Sequence, residues 1–325
     1  MKMQLAAIIR FCLCALLCLC ALPTTVAGTA RAQAWGPPAD PLSRVMAAQR
    51  TGTLGTGDVD RRRLAAAADR LAPQRPGTVD AYVVVVALDS DPVFAREARE
   101  TARVLAQRYD AVGRTLLLAG LDGRNIDPLP RGGPDTLAEA LRRVAAVMNL
   151  EEDALILYIT AHGTPSGIAY RDQGELLATL PPDWLGDALR KTRARNRLVI
   201  VSACFSGVFV PTLTSSDGVV ITAAAADRTS FGCASDNDWT FFGDAFVNQA
   251  LRKSQPLAAA FGEARRLVGG WEARGRLIPS NPQIAFGVQA ASWLRPLEAR
   301  MPKQASMPVG RPSIDALDQA IAANH

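Results

Sequence analysis

One histidine and one cysteine are the residues of this sequence whose side chains suggest a catalytic role. The chain holds two histidines, of which His325 is the last residue and His162 ends the apolar run in ALILYITAHG. Cys204 likewise follows an apolar run, in VIVSACFSG. An imidazole beside a thiol can hold the thiolate that acts as a nucleophile, and the N–H of Gly163 could then bind an oxyanion. Together the two residues indicate nucleophilic catalysis, provided that the fold brings them together.

Each residue taken singly also has a purely structural interpretation. Free cysteine is among the most buried residue types, so a cysteine after a strand is more often packed than reactive. Cys233 is the one other cysteine after residue 34. A Cys204–Cys233 disulfide would consume the nucleophile, and a thiol titration would reveal it.

This chemistry requires strands and helices that place both residues at one edge of the fold. The pattern of apolar residues from Asp80 onward predicts such strands and helices. Short β-branched runs alternate with amphipathic helices, which predicts an α/β fold with a mostly parallel sheet covered on both faces. Ligands bind beyond the carboxyl ends of the strands in such sheets. His162 follows the third predicted strand and Cys204 the fourth, so we expect them side by side. The predicted strands are 81–88, 114–120, 154–160, 197–203, 218–225 and 287–293, with a hairpin at 167–180, and the predicted helices are 91–110, 133–150, 181–194, 240–253 and 256–273.

The first 34 residues are predicted to be a signal peptide. Basic Lys2 and Arg10 flank or precede an apolar stretch too short to span a bilayer, and residues 32–34 have the A-x-A pattern of a cleavage site. Its removal lowers the net charge from +5 to +2 and takes away four of the six cysteines. We therefore expect a periplasmic or secreted protein that is not a disulfide scaffold and is not stably inserted in a membrane after cleavage.

Composition divides the remaining chain into three parts. Residues 35–77 are rich in Pro, Gly, Ala and Arg, and are predicted to be a linker or pro-segment of low order with two short helix-like pieces at 41–50 and 58–71. Residues 78–295 form the predicted catalytic domain. Residues 296–325 are a Pro-rich C-terminal tail with one short helix at 313–323.

Several other classes of function are disfavoured by what the sequence lacks. A zinc site needs three or four nitrogen or sulfur ligands, which one internal histidine and two distant cysteines do not supply. The chain has no G-x-x-x-x-G-K-[ST] phosphate loop and no G-x-S-x-G nucleophile elbow. A charge of +2 gives no reason to expect nucleic-acid binding. We expect no metal, no cofactor and no nucleic-acid partner, and the oligomeric state is left open.

The segments YITAHG and VSACFSG resemble the legumain-type cysteine peptidases and the related glycosylphosphatidylinositol transamidase subunit. The resemblance extends from about Asp80 to Ala285 and implies a caspase-like three-layer α/β/α sandwich. It also implies a catalytic His162–Cys204 dyad with oxyanion donors at Gly163 and Cys204. An arginine and a carboxylate in the family's pocket suit an Asn or Asp side chain before the scissile bond. The substrate-binding residues that the resemblance implies are Arg96, Ser202, Thr229, Ser230 and Asp244, and it makes Cys233 a free cysteine in the pocket wall.

The sequence departs from the family pattern at three positions. Legumains have Glu-Ala-Cys-Glu-Ser-Gly around the nucleophile, where this chain has Ser202 and Phe205 in place of the two glutamates. The asparagine that orients the histidine in the family aligns with Phe94. The resemblance therefore implies a dyad without its third member, and it leaves the choice between Asn and Asp open.

These observations lead to one principal hypothesis and three alternatives. We expect an exported bacterial endopeptidase that cleaves proteins or peptides after Asn or Asp through a thioester on Cys204. An amine acceptor in place of water would make the same site a transpeptidase. The other two alternatives are an inactive binding module that keeps the fold and a structural Cys204–Cys233 disulfide.

Overall fold

Six strands form the central sheet of the protein, whose computed structural model describes residues 57–124 and 129–323. They are β1 Ala81–Ala87, β2 Thr115–Leu118, β3 Ala154–Thr160, β7 Asn196–Ser202, β8 Gly218–Thr222 and β9 Gln283–Phe286, and a small antiparallel sheet holds β4 Gly163–Thr164, β5 Gly167–Asp172 and β6 Glu175–Leu180. The strand order of the central sheet is β2-β1-β3-β7-β8-β9. All neighbours pair in parallel except β9, which is antiparallel to β8. This confirms the predicted α/β class with a mostly parallel sheet.

Helices cover both faces of this sheet. They are α1 Asp58–Ala68, α2 Pro92–Arg108, α3 Pro134–Ala145, α4 Pro182–Thr192, α5 Val210–Leu213, α6 Leu257–Arg274, α7 Ala291–Ala299 and α8 Ser313–Ala323, with a 3₁₀-helix at Ser206–Phe209 and a π-helix at Gly243–Ala250. Val83 and Val85 of β1 pack with α2, the π-helix, α6 and α7, whereas Val84 and Val86 pack with α1, α3 and α4. Since successive side chains of a strand point to opposite faces, an apolar run is what a strand buried on both faces requires.

The order of strands and helices places the carboxyl ends of the sheet at one edge. Three of the helices that connect the strands begin with proline as their first residue, at Pro92, Pro134 and Pro182. Proline suits this position because its missing N–H would have no partner in the first turn of a helix. Because β1, β3 and β7 are neighbouring parallel strands, the loops that leave their carboxyl ends lie side by side.

One predicted strand is wrong. Residues 287–293 do not form a strand, because the strand that closes the sheet is β9 at Gln283–Phe286 and helix α7 begins at Ala291. Trp293 is buried from α7 and donates a hydrogen bond from Nε1 to the Asp217 carbonyl at 2.8 Å. A short apolar run alone does not distinguish a strand from a buried helix.

The segments on either side of the predicted catalytic domain pack against it. Leu64 of α1 is buried, and Asp60 accepts a hydrogen bond from Arg131 Nε at 2.9 Å, so residues 57–77 differ from the low order expected there. In the C-terminal segment, the Val309 carbonyl accepts a hydrogen bond from Trp239 Nε1 at 2.9 Å, and α8 covers the predicted residues. The predicted signal peptide and residues 35–56 lie outside the described residues.

No helix within 57–124 and 129–323 is long and apolar enough to cross a bilayer.

Candidate active site

The register of the sheet brings His162 and Cys204 to neighbouring positions. Thr160, the last residue of β3, pairs in parallel with Ser202, the last residue of β7. His162 and Cys204 each lie two residues beyond these paired ends. His162 and Cys204 are therefore as far apart along the chain as the paired residues Thr160 and Ser202. Both side chains consequently lie at the same edge of the sheet.

The backbones of Gly163 and Cys204 are in close contact. A Cβ atom on Gly163 would lie 1.9 Å from the Cys204 carbonyl oxygen, so only glycine fits there. The N–H of Ala169 donates to the His162 carbonyl at 3.0 Å, which makes Gly163 and Ile168 a non-hydrogen-bonded pair of β4 and β5. The Gly163 N–H consequently points away from β5. Among the described residues the Cys204 N–H has no hydrogen-bond partner either.

The sulfur of Cys204 is held by one residue of the loop that follows β8. The Ser230 N–H donates to Cys204 Sγ at 3.2 Å, and the Ser230 carbonyl and hydroxyl oxygens lie 3.4 and 3.6 Å from the sulfur. The backbone of Ser230 thus fixes the position of the sulfur. Phe205 adopts the left-handed conformation with φ 56°, and its N–H bonds the Arg228 carbonyl at 2.7 Å. The turn therefore fixes Cys204, and its side chain is partly exposed.

Two aspartates after β1 lie beside His162. Asp89 Oδ2 is 4.0 Å and Asp91 Oδ2 is 3.8 Å from His162 Nε2. These separations are those of ion pairs to a protonated imidazole and exceed those of hydrogen bonds. Phe94, at the position of the family asparagine, packs edge-on against the imidazole with ring centroids 5.0 Å apart. An aromatic ring and two carboxylates thus surround the histidine where the family has an amide.

Sequence reasoning missed Asp89 and Asp91. The signal that could have found them is their position directly after β1, the strand next to β3, because the ends of neighbouring parallel strands meet at one edge. The Asp89 side chain is only 2% exposed, and its Oδ2 has no hydrogen-bond partner among the described residues. Burial raises the pKa of Asp89, and the Asp91 N–H, His162 and Arg171 oppose this rise.

Replacing Asp89 by asparagine is expected to lower activity without lowering stability. Loss of about 1.4 kcal/mol of stabilisation of the imidazolium would reduce kcat/KM about tenfold. Because the folded-state pKa of Asp89 is raised, its ionised form destabilises the fold above the raised value, and this penalty is absent below the ordinary pKa of 3.8. The midpoint of thermal unfolding at pH 7 should therefore be unchanged or higher in Asp89→Asn. Thermal unfolding and peptide kinetics measure both quantities.

The matched control for this substitution is Asp187→Asn on helix α4. Asp187 is 55% exposed, and within residues 57–124 and 129–323 its one ion pair is with Arg190, one turn away on the same helix. Both activity and thermal midpoint should stay at the wild-type values. Full activity in Asp89→Asn would contradict a role for Asp89 beside His162.

Two of the predicted substrate-binding residues are buried away from the site. Asp244 is fully buried in the first turn of the π-helix, where its carboxylate accepts hydrogen bonds from the Ser313 N–H at 2.7 Å and from Asn248 Nδ2 at 2.9 Å. Ser202 is 2% exposed, and its hydroxyl lies 3.4 Å from that of Thr240. The structure thus assigns Asp244 to anchoring the C-terminal segment and gives neither side chain access to a substrate. The resemblance matched sequence positions and carried no information about burial.

Arg96 contacts the loop after β8 and does not extend freely toward Cys204. Its Nε and Nη2 donate to the Asn237 carbonyl at 3.1 and 2.5 Å, and Nη2 also bonds the Ser235 carbonyl. Its Nη1 donates to the Asp122 carbonyl at 3.1 Å. Arg96 therefore fixes the shape of the loop that holds Ser230. Thr229 and Ser230 are the predicted pocket residues that lie at Cys204, with Thr229 exposed and Ser230 partly exposed.

A buried carboxylate beneath the site joins this loop to the sheet. Glu97 of α2 is fully buried and accepts a hydrogen bond from the Tyr158 hydroxyl of β3 at 2.7 Å. Its second oxygen accepts from the Thr240 N–H at 3.0 Å and from the Thr240 hydroxyl at 2.7 Å. Burial of an ionisable group is favourable only when its hydrogen bonds are made, as they are here. Glu97 thus ties α2, β3 and the pocket loop together.

Cys204 and Cys233 are both free thiols. Burial raises the pKa of Cys233, and the negative charge of the Cys204 thiolate and of Asp91 adds to this rise. Cys233 is therefore mainly a protonated thiol near neutral pH and a poor nucleophile. Because Cys204 is a free thiol and not part of a disulfide, it keeps its reactivity.

The comparison with protein families decides the class of this site. The model of the Peptidase C13 family matches residues 134–275, a segment that includes His162, Gly163, Cys204 and Ser230. The chain therefore carries a Peptidase C13 domain. This match confirms the predicted enzyme class, a cysteine-type peptidase. Asp89 and Arg96 lie outside the matched segment of the Peptidase C13 domain.

A solved structure similar to the chain is the crystal structure of caspase-1 from Spodoptera frugiperda. The two share 11% sequence identity with a TM-score of 0.44, and the match covers 67% of this chain and 93% of that chain. No curated protein matches the sequence.

Proposed function

We propose that this Peptidase C13 protein is an endopeptidase that cleaves after Asn or Asp, with Cys204 as the nucleophile and His162 as the general acid and base. The observation that carries the proposal is the common register of β3 and β7, which sets both side chains at one edge of the sheet. Ser230, whose N–H bonds the sulfur, supports the same role for Cys204. Family membership favours this enzyme over an inactive binding module.

In the first half of the proposed reaction, the Cys204 thiolate attacks the carbonyl carbon of the scissile peptide bond. The carbonyl oxygen becomes an oxyanion, for which the N–H groups of Gly163 and Cys204 are the donors. His162 then gives a proton to the leaving nitrogen as the C–N bond breaks. The products of this half are a free amine and a thioester on Cys204.

In the second half, water replaces the amine. His162 accepts a proton from water as its oxygen attacks the thioester carbonyl, and the C–S bond then breaks. This step releases the carboxylic acid and returns the Cys204 thiolate and the protonated imidazole to their initial states. The carboxylates of Asp89 and Asp91 lie beside Nε2, so Nδ1 is the ring nitrogen that remains for these proton transfers. Their negative charge stabilises the imidazolium.

The preference for Asn or Asp is the finer part of the proposal, and the family resemblance supports it. Among the predicted pocket residues, Thr229 and Ser230 offer hydroxyl groups that can donate to a side-chain oxygen or accept from an amide. Arg96 acts in the proposal by fixing the loop through the Ser235 and Asn237 carbonyls. With Asp244 buried, no carboxylate of the predicted set is available to separate Asn from Asp, and we expect similar rates for the two.

A set of peptides that differ in one residue tests this proposal. Peptides with Asn, Asp, Gln or Lys before the scissile bond are incubated with the wild-type protein, and the new termini are identified by mass spectrometry. We expect cleavage after Asn and Asp with kcat/KM values within about tenfold of each other, and at least about 10²-fold slower cleavage after Gln or Lys, since a site built to hydrogen-bond one side chain rejects poorly matched ones. Equal cleavage of all four peptides would contradict the specificity, and cleavage of none would contradict the activity.

A further inference from the structure

A cavity of about 410 Å³ opens beside the proposed catalytic centre, at the carboxyl ends of β1 and β2. Its wall includes Ala87 at the end of β1 and Gly120 just beyond β2. Residues 170–173 of the β5–β6 hairpin, Arg63 of α1 and Arg131 also line it. This volume is within the range of sites that bind small ligands or side chains.

The cavity lies on the side of His162 that faces away from Cys204. The strand order β2-β1-β3-β7 places His162, after β3, between Cys204, after β7, and the cavity at the ends of β1 and β2. Asp89 connects the two places, because its carboxylate lines the cavity and its Oδ2 lies 4.0 Å from His162 Nε2. A chain that passes over the imidazole toward β1 therefore reaches the cavity within one or two residues of about 3.3 Å each.

The charged side chains of the wall favour an anion. Three arginines, Arg63, Arg131 and Arg171, face two aspartates, Asp89 and Asp172. Arg131 pairs with Asp172 at 2.9 Å, which neutralises one charge of each sign. With Asp89 ionised, as its role beside His162 requires, the charged side chains that line the cavity have a net charge of +1.

Polar groups of this wall lack the partners that a ligand would supply. Arg63 has a single ion pair among the described residues, with Asp60 at 3.7 Å, and its side chain is 37% exposed. Arg171 Nη2 donates to the Gly174 carbonyl at 2.7 Å, whereas Arg171 Nε is buried, lies 3.9 Å from Asp89 Oδ2 and has no hydrogen-bond partner within the described ranges. Buried donors of native proteins are nearly always satisfied, so the Arg171 Nε–H indicates an acceptor in the cavity.

We propose that the cavity receives the part of the substrate that follows the scissile bond and binds a carboxylate there through Arg63 and Arg171. This inference rests on the proposed function, in which His162 protonates the leaving amine, so that the leaving peptide lies on the histidine side of Cys204. The carboxylate is that of a Glu or Asp side chain about two residues past the scissile bond, or the terminal carboxylate of a peptide that ends there. Planar guanidinium groups suit this ligand because they bind carboxylates through paired N–H donors.

The test measures binding separately from turnover. Fluorescently labelled peptides with Asn before the scissile bond and Glu, Gln or Lys at the second leaving position are titrated against the Cys204→Ala protein, which holds but does not cleave them. We expect the Glu peptide to bind about tenfold more tightly than the Gln peptide, the effect of one charge-assisted hydrogen bond in place of a neutral one, and the Lys peptide to bind more weakly than both. A second pair, ending at that position as a free acid or as an amide, distinguishes a chain terminus from a side chain.

Variants of Arg63 and Arg171 test whether these side chains cause the preference for the Glu peptide. Arg63→Gln and, separately, Arg171→Gln in the Cys204→Ala background should each reduce the Glu-to-Gln affinity ratio to about threefold or less. Using two variants means that one misfolded protein does not decide the result. Arg195→Gln is the matched control, because Arg195 is 57% exposed, pairs with Glu151 and precedes β7 at the opposite edge of the sheet. Its affinity ratio should equal that of the parent protein.

The outcomes distinguish this inference from the proposed function. Equal affinities within both peptide pairs, or a ratio that survives both arginine substitutions, would overturn the carboxylate site. Wild-type protein is assayed for hydrolysis of the same peptides. A Glu preference in binding without any hydrolysis would reject the proposed peptidase reaction and retain the carboxylate site, whereas hydrolysis without a Glu preference would reject the carboxylate site alone.

Discussion

Replacing Cys204 by alanine is expected to abolish peptide hydrolysis, with a fall in kcat/KM of at least about 10⁴-fold. The thiolate forms the covalent bond to the substrate, and no other described group at the carboxyl edge is placed to do so. Ser206, two residues further on, is 1% exposed, and its hydroxyl accepts a hydrogen bond from the Ala224 N–H at 3.1 Å. Initial rates on an Asn-containing peptide, compared with the thermal midpoint of each protein, measure the loss independently of folding.

Cys233→Ala provides the matched control for this substitution. Cys233 is the only other described cysteine and is likewise a free, partly buried thiol. Since burial raises the pKa of Cys233, it contributes little thiolate near neutral pH, and we expect Cys233→Ala to keep most of the wild-type activity. A thiol-reactive peptide probe should label the wild-type protein and Cys233→Ala but leave Cys204→Ala unlabelled. Undiminished hydrolysis by Cys204→Ala would sink the proposed mechanism.

The same pair of proteins tests the alternative of a Cys204–Cys233 disulfide. A disulfide would hide both thiols of the native oxidised protein, and probe labelling would then require a reductant. The structure instead shows two free thiols. We expect labelling of Cys204 without reduction, and peptide mapping identifies the labelled residue.

The sequence was sufficient to predict five of the six strands of the sheet and the positions of His162 and Cys204. Strands buried on both faces read as apolar runs, and the carboxyl-edge rule then groups the residues that follow them. The rule applies equally to β1, and the same reasoning could have placed Asp89 and Asp91 beside His162. The family pattern points instead to Phe94, which does contact the imidazole.

The pocket residues could not be predicted in the same way. Whether a polar residue faces a substrate depends on the partners that reach it from distant parts of the chain. The Asp244 carboxylate accepts a hydrogen bond from the N–H of Ser313, 69 residues away along the sequence. Arg96 donates to the carbonyls of Ser235 and Asn237, which are 139 and 141 residues away. No local pattern records such contacts. The same limit applies to the arginine-lined cavity, since Arg63, Arg131 and Arg171 come together only through packing of α1 and the hairpin.

Gly163→Ala is expected to produce the second large loss, of activity and stability together. The added Cβ would lie 1.9 Å from the Cys204 carbonyl oxygen and 2.9 Å from its carbonyl carbon. Both are backbone atoms fixed by the β3–β7 pairing, so relief of the clash requires the two strand ends to separate. Overpacking of this kind costs about 3 kcal/mol, which corresponds to a thermal midpoint lower by about 6–12 °C.

The same movement would displace both proposed oxyanion donors, because they are the N–H groups of Gly163 and Cys204. Displacement by about 1 Å costs about 10²-fold in rate, and we expect at least that loss in kcat for Gly163→Ala. Gly269→Ala in helix α6 is the matched control, since its Cβ would meet no atom within 4 Å. There alanine should raise the free energy of unfolding by about 0.5–1 kcal/mol, because glycine is unfavourable inside a helix, and leave kcat unchanged. If Gly163→Ala kept wild-type kcat, the N–H groups beside Cys204 would not be the oxyanion donors, even if stability fell as expected.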